Sequence, residues 1–245
     1  MEELRAIGRL MEQNQIVSLS GGKDSTALLL MMLERKEPIH SVVFFDTGWE
    51  FPQMLDHIDL LEKRTGIKIV RLKPKRSFEY WMIERPLTDR RGYSWPSPIR
   101  RWCTCEKFNA INKYANQHKP WVQCIGFAAD ESERQSKEII RRRRNLRFPL
   151  IEWDITEDMA LQYCREQGYH WSGLYDVFRR VSCYCCPLQR MSELRKLRKH
   201  YPELWQQMLN MDSRIEKNGG FKDYKTVHDL DRRFADEDRQ MVFTD

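Results

Sequence analysis

No run of about 18 consecutive apolar residues occurs in this chain, so its sequence offers no membrane-spanning helix. The first residues, Met1-Glu2-Glu3-Leu4-Arg5, lack the apolar core of a secretory leader, and a cytoplasmic location with no membrane partner is expected. The Walker pattern G-x-x-x-x-G-K-[ST] is absent. None of the six histidines pairs with another at metal-binding spacing, so none is taken as a ligand or base. Internal repeats and low-complexity tracts are missing. A disulfide framework is not expected either. The cysteines number seven, and in a reducing compartment they serve as metal ligands or reactive thiols.

What is present suits one large α/β domain, or a domain with a small appendage. The chain has 245 residues, 41% of them hydrophobic with eight Trp, and 32% charged. Its net charge of +6 fits a nucleotide or nucleic-acid partner without separating the two. Residues 2–12 read as a helix. Ile16–Leu19 reads as a buried strand, followed by a helix from Asp24 to Lys36. Ser41–Phe45 is a second strand. Pro52 opens a helix that Gly66 closes at Thr65, with Leu55, Ile58, Leu60 and Leu61 expected inward. Lys68–Leu72 is a third strand, and such strand–helix alternation implies right-handed parallel crossovers. Residues 73–102 read as a long irregular excursion. Glu106–His118 reads as a helix, Trp121–Phe127 as a fourth strand and Phe148–Trp153 as a short fifth. Thr156 and Ser192 are expected helix caps, and Pro202 restarts a helix. Cys124 and Cys164 are expected as small buried hydrophobes, and Trp153, Trp171 and Trp205 as core residues. The expected division is a nucleotide-binding domain over 1–175 and a cysteine-containing helical region over 176–245.

The most informative stretch follows the first strand: Ser18-Leu19-Ser20-Gly21-Gly22-Lys23-Asp24-Ser25-Thr26. Two glycines can adopt positive φ and admit a ligand to the main chain, and the new helix presents unpaired N–H groups to an anion. Ser20, Ser25 and Thr26 add hydroxyls. Ser20–Ser25 resembles the SGGxDS signature of the PP-loop, or N-type ATP pyrophosphatase, superfamily. Within it, the chain is most similar to the phosphoadenosine phosphosulfate (PAPS) reductase family over about residues 14–210. The resemblance implies a doubly wound parallel sheet of the adenine nucleotide alpha hydrolase type. It also implies binding of ATP or a related adenine nucleotide with Mg²⁺, with Lys23 and Asp24 in catalytic roles.

Two further segments carry the likeness. Asp46-Thr47-Gly48-Trp49-Glu50-Phe51-Pro52 resembles the family's V-D-T-G-x-x-F/Y-P segment, which implies adenosine recognition by Asp46, Thr47 and Gly48. Gly126-Phe127-Ala128-Ala129-Asp130-Glu131-Ser132-Glu133-Arg134 resembles G-x-R-x-x-E-S-x-x-R, with Gly126, Glu131 and Arg134 matching and Ala128 standing where the family has an arginine.

Cys183 and Cys186 form a C-x-x-C whose spacing lets two thiolates reach one metal. Cys103-Thr104-Cys105 lies 80 positions upstream, before a helix. Adenylylsulfate reductases carry a similar arrangement holding a [4Fe–4S] cluster, so the expected ligands are Cys103, Cys105, Cys183 and Cys186, with structural zinc as the alternative. Cys185 is expected as a neighbouring ligand or a sulfur-handling thiol. No cysteine follows Cys186, whereas assimilatory reductases use one near the C-terminus as nucleophile. The implied activity is therefore ATP-dependent adenylation with cluster-assisted sulfur transfer. A sulfonucleotide reductase and a zinc-stabilised, non-enzymatic binding module are the alternatives. Arg141–Arg144 is the candidate contact for tRNA or DNA, or else a solvated charged face; a second basic block spans Arg190–His200. A sulfur-donor or reductant protein is an expected partner, and a homo-oligomer is compatible with the sequence.

Overall fold

The computed structural model describes residues 13–131, 133, 136, 140, 143, 145–217 and 219–242. The helix expected over 2–12 lies outside them. By Cα packing the chain forms two units. One comprises the described residues up to Asp46, Phe51–Lys73 and Phe108–Tyr175; the other comprises Thr47–Glu50, Pro74–Lys107 and the described residues from Asp176 onward.

The first unit is built on apolar runs too short for helices and rich in β-branched residues. These form β1 (Asn14–Leu19), β2 (Ser41–Phe45), β3 (Ile69–Leu72), β4 (Trp121–Ile125) and β5 (Leu146–Arg147). All pairings are parallel, in the order β3-β2-β1-β4-β5. This is the expected α/β class. The strand order reverses between β1 and β4, so the loops leaving their C-terminal ends flank the position where open α/β sheets bind ligands.

Helix α1 (Lys23–Glu34) buries Leu28, Leu29 and Met32. Helix α2 (Pro52–Thr65) starts on Pro52 and ends at Gly66, whose φ of 70° is the left-handed cap conformation. Its inward face is Met54, His57, Ile58 and Leu61, while Leu55 is 39% exposed. The expected inward set is thus corrected: the buried spacing is i, i+3, i+4, i+7, and a histidine occupies one of its positions. Cys124 and Cys164 are buried as expected. Trp171 and Trp205 are buried, but Trp153 is half-exposed beneath the Arg35 guanidinium, 4.4 Å from its ring centre.

The Phe148–Trp153 expectation is corrected. Pro149–Glu152 is a short helix, α4, and the fifth strand is the pair before it. Helix α3 (Trp102–Ala115) precedes it in the chain and begins four residues earlier than expected, so Cys103 and Cys105 lie in its first turn. Helix α5 (Glu157–Glu166) is capped as expected by Thr156, whose Oγ1 accepts the Met159 N–H at 3.3 Å. A short helix, α6 (Leu174–Val177), follows.

In the second unit, residues 74–101 form an excursion whose one regular piece is a π-helical turn, Tyr80–Glu84. Three helices follow later in the chain: α7 (Met191–His200), α8 (Pro202–Ser213) and α9 (Val227–Val242). Ser192 is the second residue of α7 rather than its cap, because the chain enters the helix through an extended Arg190 (ψ 154°). Two arginines of the basic block on α7 pair with α9: Arg195 with Glu237 at 2.6 Å, and Arg198 with Asp231 and Asp238 at 2.8 and 2.7 Å.

Candidate nucleotide loop and cysteine site

Hydrophobic β1 ends at Leu19, and Gly21 turns the chain at φ 81° into α1. Gly22 occupies the N-cap position with no side chain capping it. The Lys23 N–H donates to the Tyr175 hydroxyl at 2.7 Å, while those of Asp24 and Ser25 have no partner among the described residues. Unpartnered N–H groups at a helix start are the kind of donor that meets an anion. The Ser25 hydroxyl accepts the Ser20 N–H and donates to the Gly22 carbonyl, both at 3.0 Å, so it fastens the loop to itself. Ser18 points instead along the sheet, its Oγ accepting the Gln123 side-chain N–H at 2.5 Å.

Beneath the loop lies a support the sequence did not reveal. The Gly21 carbonyl accepts Trp171 Nε1–H at 2.7 Å and Thr26 Oγ1–H at 3.4 Å. Thr26 Oγ1 is 2.9 Å from His57 Nε2, and His57 packs against Trp171 with ring centres 4.5 Å apart. The other ring nitrogen, Nδ1, is buried without a partner. We assign the Nε2–H tautomer, because it leaves a bare lone pair buried rather than an N–H. With the Gly21 carbonyl held from below, planarity turns the Gly22 N–H to the opposite side of the peptide. Trp171 reaches this position through consecutive left-handed conformations at Trp171 and Ser172 (φ 47° and 48°), strain that the Trp171 contacts under the loop offset.

Burial pushes His57 down to about 3 from 6.5, so it is neutral in the native protein. The unfolded chain therefore binds a proton that the native one refuses. Stability at this position is fully present above pH 6.5 and is lost as pH falls toward 3, by up to about 5 kcal/mol over the window. His57→Gln should flatten that part of the acid slope in urea unfolding measured across it. An unchanged slope would place the effect elsewhere.

The Lys23 ammonium, 4% exposed, sits 2.9 Å from Asp24 and 3.1 Å from Glu157. Burial raises the Asp24 carboxyl against the lowering pull of Lys23. One oxygen each of Asp24, Glu131 and Glu157 lies within 4.8 Å of the others, close enough to share a cation. Sequence reasoning found Asp24 and Glu131 and missed Glu157, which read only as a favourable charge in a first helical turn. Gly126 is required by packing: a Cβ there would stand 2.9 Å from the Asp24 carbonyl oxygen. Ala128 is fully buried, so its position holds no exposed anion clamp. Arg134 lies outside the described residues, as do Arg141, Arg142 and Arg144. Arg143 faces inward, bonded to Asn112 at 2.9 Å and stacked 4.7 Å from the Phe108 ring centre. Asp46 is held by Lys73 at 3.6 Å.

In the second unit, Thr47, Gly48 and Glu50 form a tight turn beside the cysteines. Glu50 Oε2 accepts the Thr47 N–H at 3.1 Å and its hydroxyl at 2.6 Å. The Thr47 hydroxyl lies 3.6 Å from the Cys183 sulfur, and Glu50 Oε1 lies 3.9 Å from it. The Tyr184 N–H donates to the Trp49 carbonyl at 3.0 Å, and Gln189 holds the Cys183 and Tyr184 carbonyls at 2.9 Å. Burial first, then the Glu50 and Cys186 charges, push the Cys183 thiol well up; burial and Cys186 raise Cys103. Cys185 is 1% exposed and raised by burial and by the charges of Cys183 and Cys186, properties opposite to those of a free attacking thiolate. Cys105 is exposed. On a helix, residues two apart do not share a face, so Cys103 and Cys105 diverge. Cys103, Cys183 and Cys185 are thus each coupled electrostatically to Cys186, with Cys185 buried and Cys105 exposed.

The family model for the phosphoadenosine phosphosulfate reductase domain matches residues 14–189. The chain belongs to this family. The chain is similar to the Uncharacterized protein MJ0066 of Methanocaldococcus jannaschii, 30% identical over 207 residues that cover 80% of this chain and 41% of that protein's length. The chain therefore spans about four-tenths of that relative. A crystal structure of phosphoadenylyl-sulfate (PAPS) reductase from Candida auris, a phosphate complex, is 18% identical, covers 66% of this chain and 77% of its own, and superposes with a TM-score of 0.49. The U34-tRNA thiolase NcsA from Methanococcus maripaludis with its [4Fe-4S] cluster is 16% identical, covers 91% and 72%, and gives 0.46. Among the described residues, no helix is long and apolar enough to cross a membrane.

Proposed function

We propose that this PAPS reductase-family protein binds ATP on the Ser20–Thr26 loop and adenylates a substrate ahead of sulfur transfer. The observation that carries this reading is the uncapped start of α1 behind a Gly21 carbonyl clamped by Trp171 and Thr26. Preorganised N–H donors of this kind stabilise charge developing on phosphate without reorganising. A substrate oxygen would attack the α-phosphorus, the α–β bridging oxygen would leave with pyrophosphate, and a sulfur nucleophile would then displace AMP. Lys23 would release Asp24 and Glu157 to neutralise phosphate. Asp24, Glu131 and Glu157 would be the residues to hold Mg²⁺.

The cysteine site fits a metal group, since Cys103 and Cys183 are each raised by burial and by Cys186, and a bound cation would relieve both. Among the described residues no three of its sulfurs lie within 4.8 Å of one another, whereas one tetrahedral zinc needs about 3.8 Å. A [4Fe–4S] cluster, which spreads thiolates over separate irons, does not require sulfurs that close. When bound, that cluster would hold the sulfur to be transferred.

Anaerobically purified protein should release pyrophosphate from ATP with one of tRNA, DNA or a sulfonucleotide as acceptor. Lys23→Met should lower that rate at least about 100-fold. ATP turnover that persists in Lys23→Met would refute the loop assignment. The family match also favours sulfonucleotide reduction. Sulfite release from PAPS or adenylylsulfate with a dithiol, and no pyrophosphate release, would select that reading instead.

A further inference from the structure

The excursion of residues 74–101 carries seven lysines and arginines against Glu79, Glu84 and Asp89, a net +4 within a chain of +6. Two of its three acids are already used. Glu79 pairs with Arg214, and Asp89 with Lys217 at 3.1 Å. Arg76, Arg91, Arg100 and Arg101 are exposed, and among the described residues no carboxylate is placed against their guanidinium groups. The basic face of α7 is the opposite case, its arginines spent on the acids of α9.

These arginines stand on a fixed frame rather than a loose charge run. Backbone N–H groups of Gly92, Tyr93 and Ser94 donate to the carbonyls of Arg85, Trp81 and Met82 at 2.8, 2.9 and 3.0 Å. Gly92 has φ 71°, and a Cβ there would stand 2.0 Å from the Met82 carbonyl oxygen, so the fold of this hairpin requires glycine. On the frame, the Trp81 and Tyr93 rings lie within 6° of parallel, and the Arg85 guanidinium rests 4.8 and 4.6 Å from their centres. Beside them opens a cavity of about 670 Å³ whose lining includes Thr88, Arg90, Tyr93 and Arg100. That is ample for a nucleotide unit.

We propose that this face binds single-stranded nucleic acid, with phosphates on Arg91 and Arg100 and a base against Tyr93. Guanidinium groups suit phosphate in bidentate geometry, and an aromatic plane accepts any base; together they make the stacking platform and electrostatic track of a strand binder. A lipid surface would need apolar side chains to insert, and Ile99 is the one large apolar residue exposed in this stretch among the described residues. An acidic peptide would leave the stacked plane unused. The proposal is independent of the adenylation reading, because binding is measured without turnover.

The test is fluorescence anisotropy on the full chain, with labelled single-stranded RNA, single-stranded DNA and duplex DNA, each titrated over a range of salt. Single strands should bind more tightly than duplex, and the RNA and DNA arms show which sugar is preferred. The double variant Arg91→Glu/Arg100→Glu should flatten the salt slope by about 1.4, roughly 0.7 for each phosphate no longer neutralised. Tyr93→Leu should weaken binding about tenfold with the slope unchanged. The α7 variant Arg195→Gln/Lys196→Gln should bind like the parent. Melting curves check that each variant is folded; the two arginines are exposed, so that pair decides the matter even if Tyr93→Leu unfolds. Duplex binding equal to single-strand binding, an unchanged slope in the arginine variant, or displacement by polyglutamate as effective as by RNA would overturn the proposal.

Discussion

Gly21→Val should raise the Kd for ATP at least about 100-fold, because two independent constraints meet at this position. The first is conformational. Gly21 has φ 81°, where a β-branched residue costs upward of about 1–2 kcal/mol. The second is space. A Cβ would stand 2.3 Å from Met54 Sδ and 3.1 Å from Ile58 Cδ1, both on the buried face of α2. The chain has two ways out, and both harm the site. If the loop holds its shape, Met54 and Ile58 must move and stability falls by about 3 kcal/mol, as for other overpacked positions. If the loop flips, the Gly21 carbonyl leaves Trp171 and Thr26, and the Gly22 N–H no longer faces outward. Gly66→Ala is the control: its φ is 70°, but nothing lies within 4 Å of the added Cβ. It should cost about 1 kcal/mol in urea unfolding and leave ATP binding unchanged. Equilibrium dialysis with labelled ATP reads both variants. Near-parental affinity in Gly21→Val would mean that the nucleotide does not use this loop.

What could be read from the sequence follows from how local each signal is. The β1–loop–α1 unit was legible because an apolar β-branched run, a Gly-Gly turn and a row of helix formers all lie within twenty residues. The inward face of α2 was misassigned by preferring leucines. The true set 54, 57, 58, 61 keeps strict helical spacing but includes His57, and only the distant Thr26 hydroxyl makes its burial tolerable. Leu146–Arg147 escaped notice as a strand because it contains an arginine. That charge is absorbed by Glu37 and Glu152, the former more than a hundred residues away. The neighbouring apolar run, which looked like the strand, is a helix opened by Pro149, with Phe148 stacked 5.3 Å from Phe127. Helix α9 went unread because its buried Val227, Leu230 and Phe234 are diluted by acids whose partners lie on α7. Glu157 was invisible as a site residue for a related reason. A carboxylate in a first helical turn is explained by the helix alone until the fold brings Lys23, Asp24 and Glu131 to it.

Serine substitutions should divide six of the seven cysteines into two classes. Cys103→Ser, Cys183→Ser and Cys186→Ser should each lower bound iron at least about tenfold in protein purified without oxygen, since even outer-sphere partners of a metal change its affinity by 10–100-fold. Cys105→Ser, Cys124→Ser and Cys164→Ser should retain it. The division rests on helix geometry. Successive positions of α3 turn by about 100°, so thiols two apart point to different sides, and Cys103 is the one electrostatically coupled to Cys186. Cys124 and Cys164 are excluded for another reason: each is buried in the first unit, where burial pushes Cys124 up to about 12 and Cys164 higher still, and neither thiol becomes a ligand without losing its packing. Metal analysis with visible absorbance reads the series. One equivalent of zinc, lost in Cys105→Ser as readily as in Cys183→Ser, would show that the first turn of α3 unwinds to bring both of its thiols to a single tetrahedral ion. Iron lost from three variants and kept in Cys105→Ser would show that the helix stays wound and that three thiolates hold the cluster.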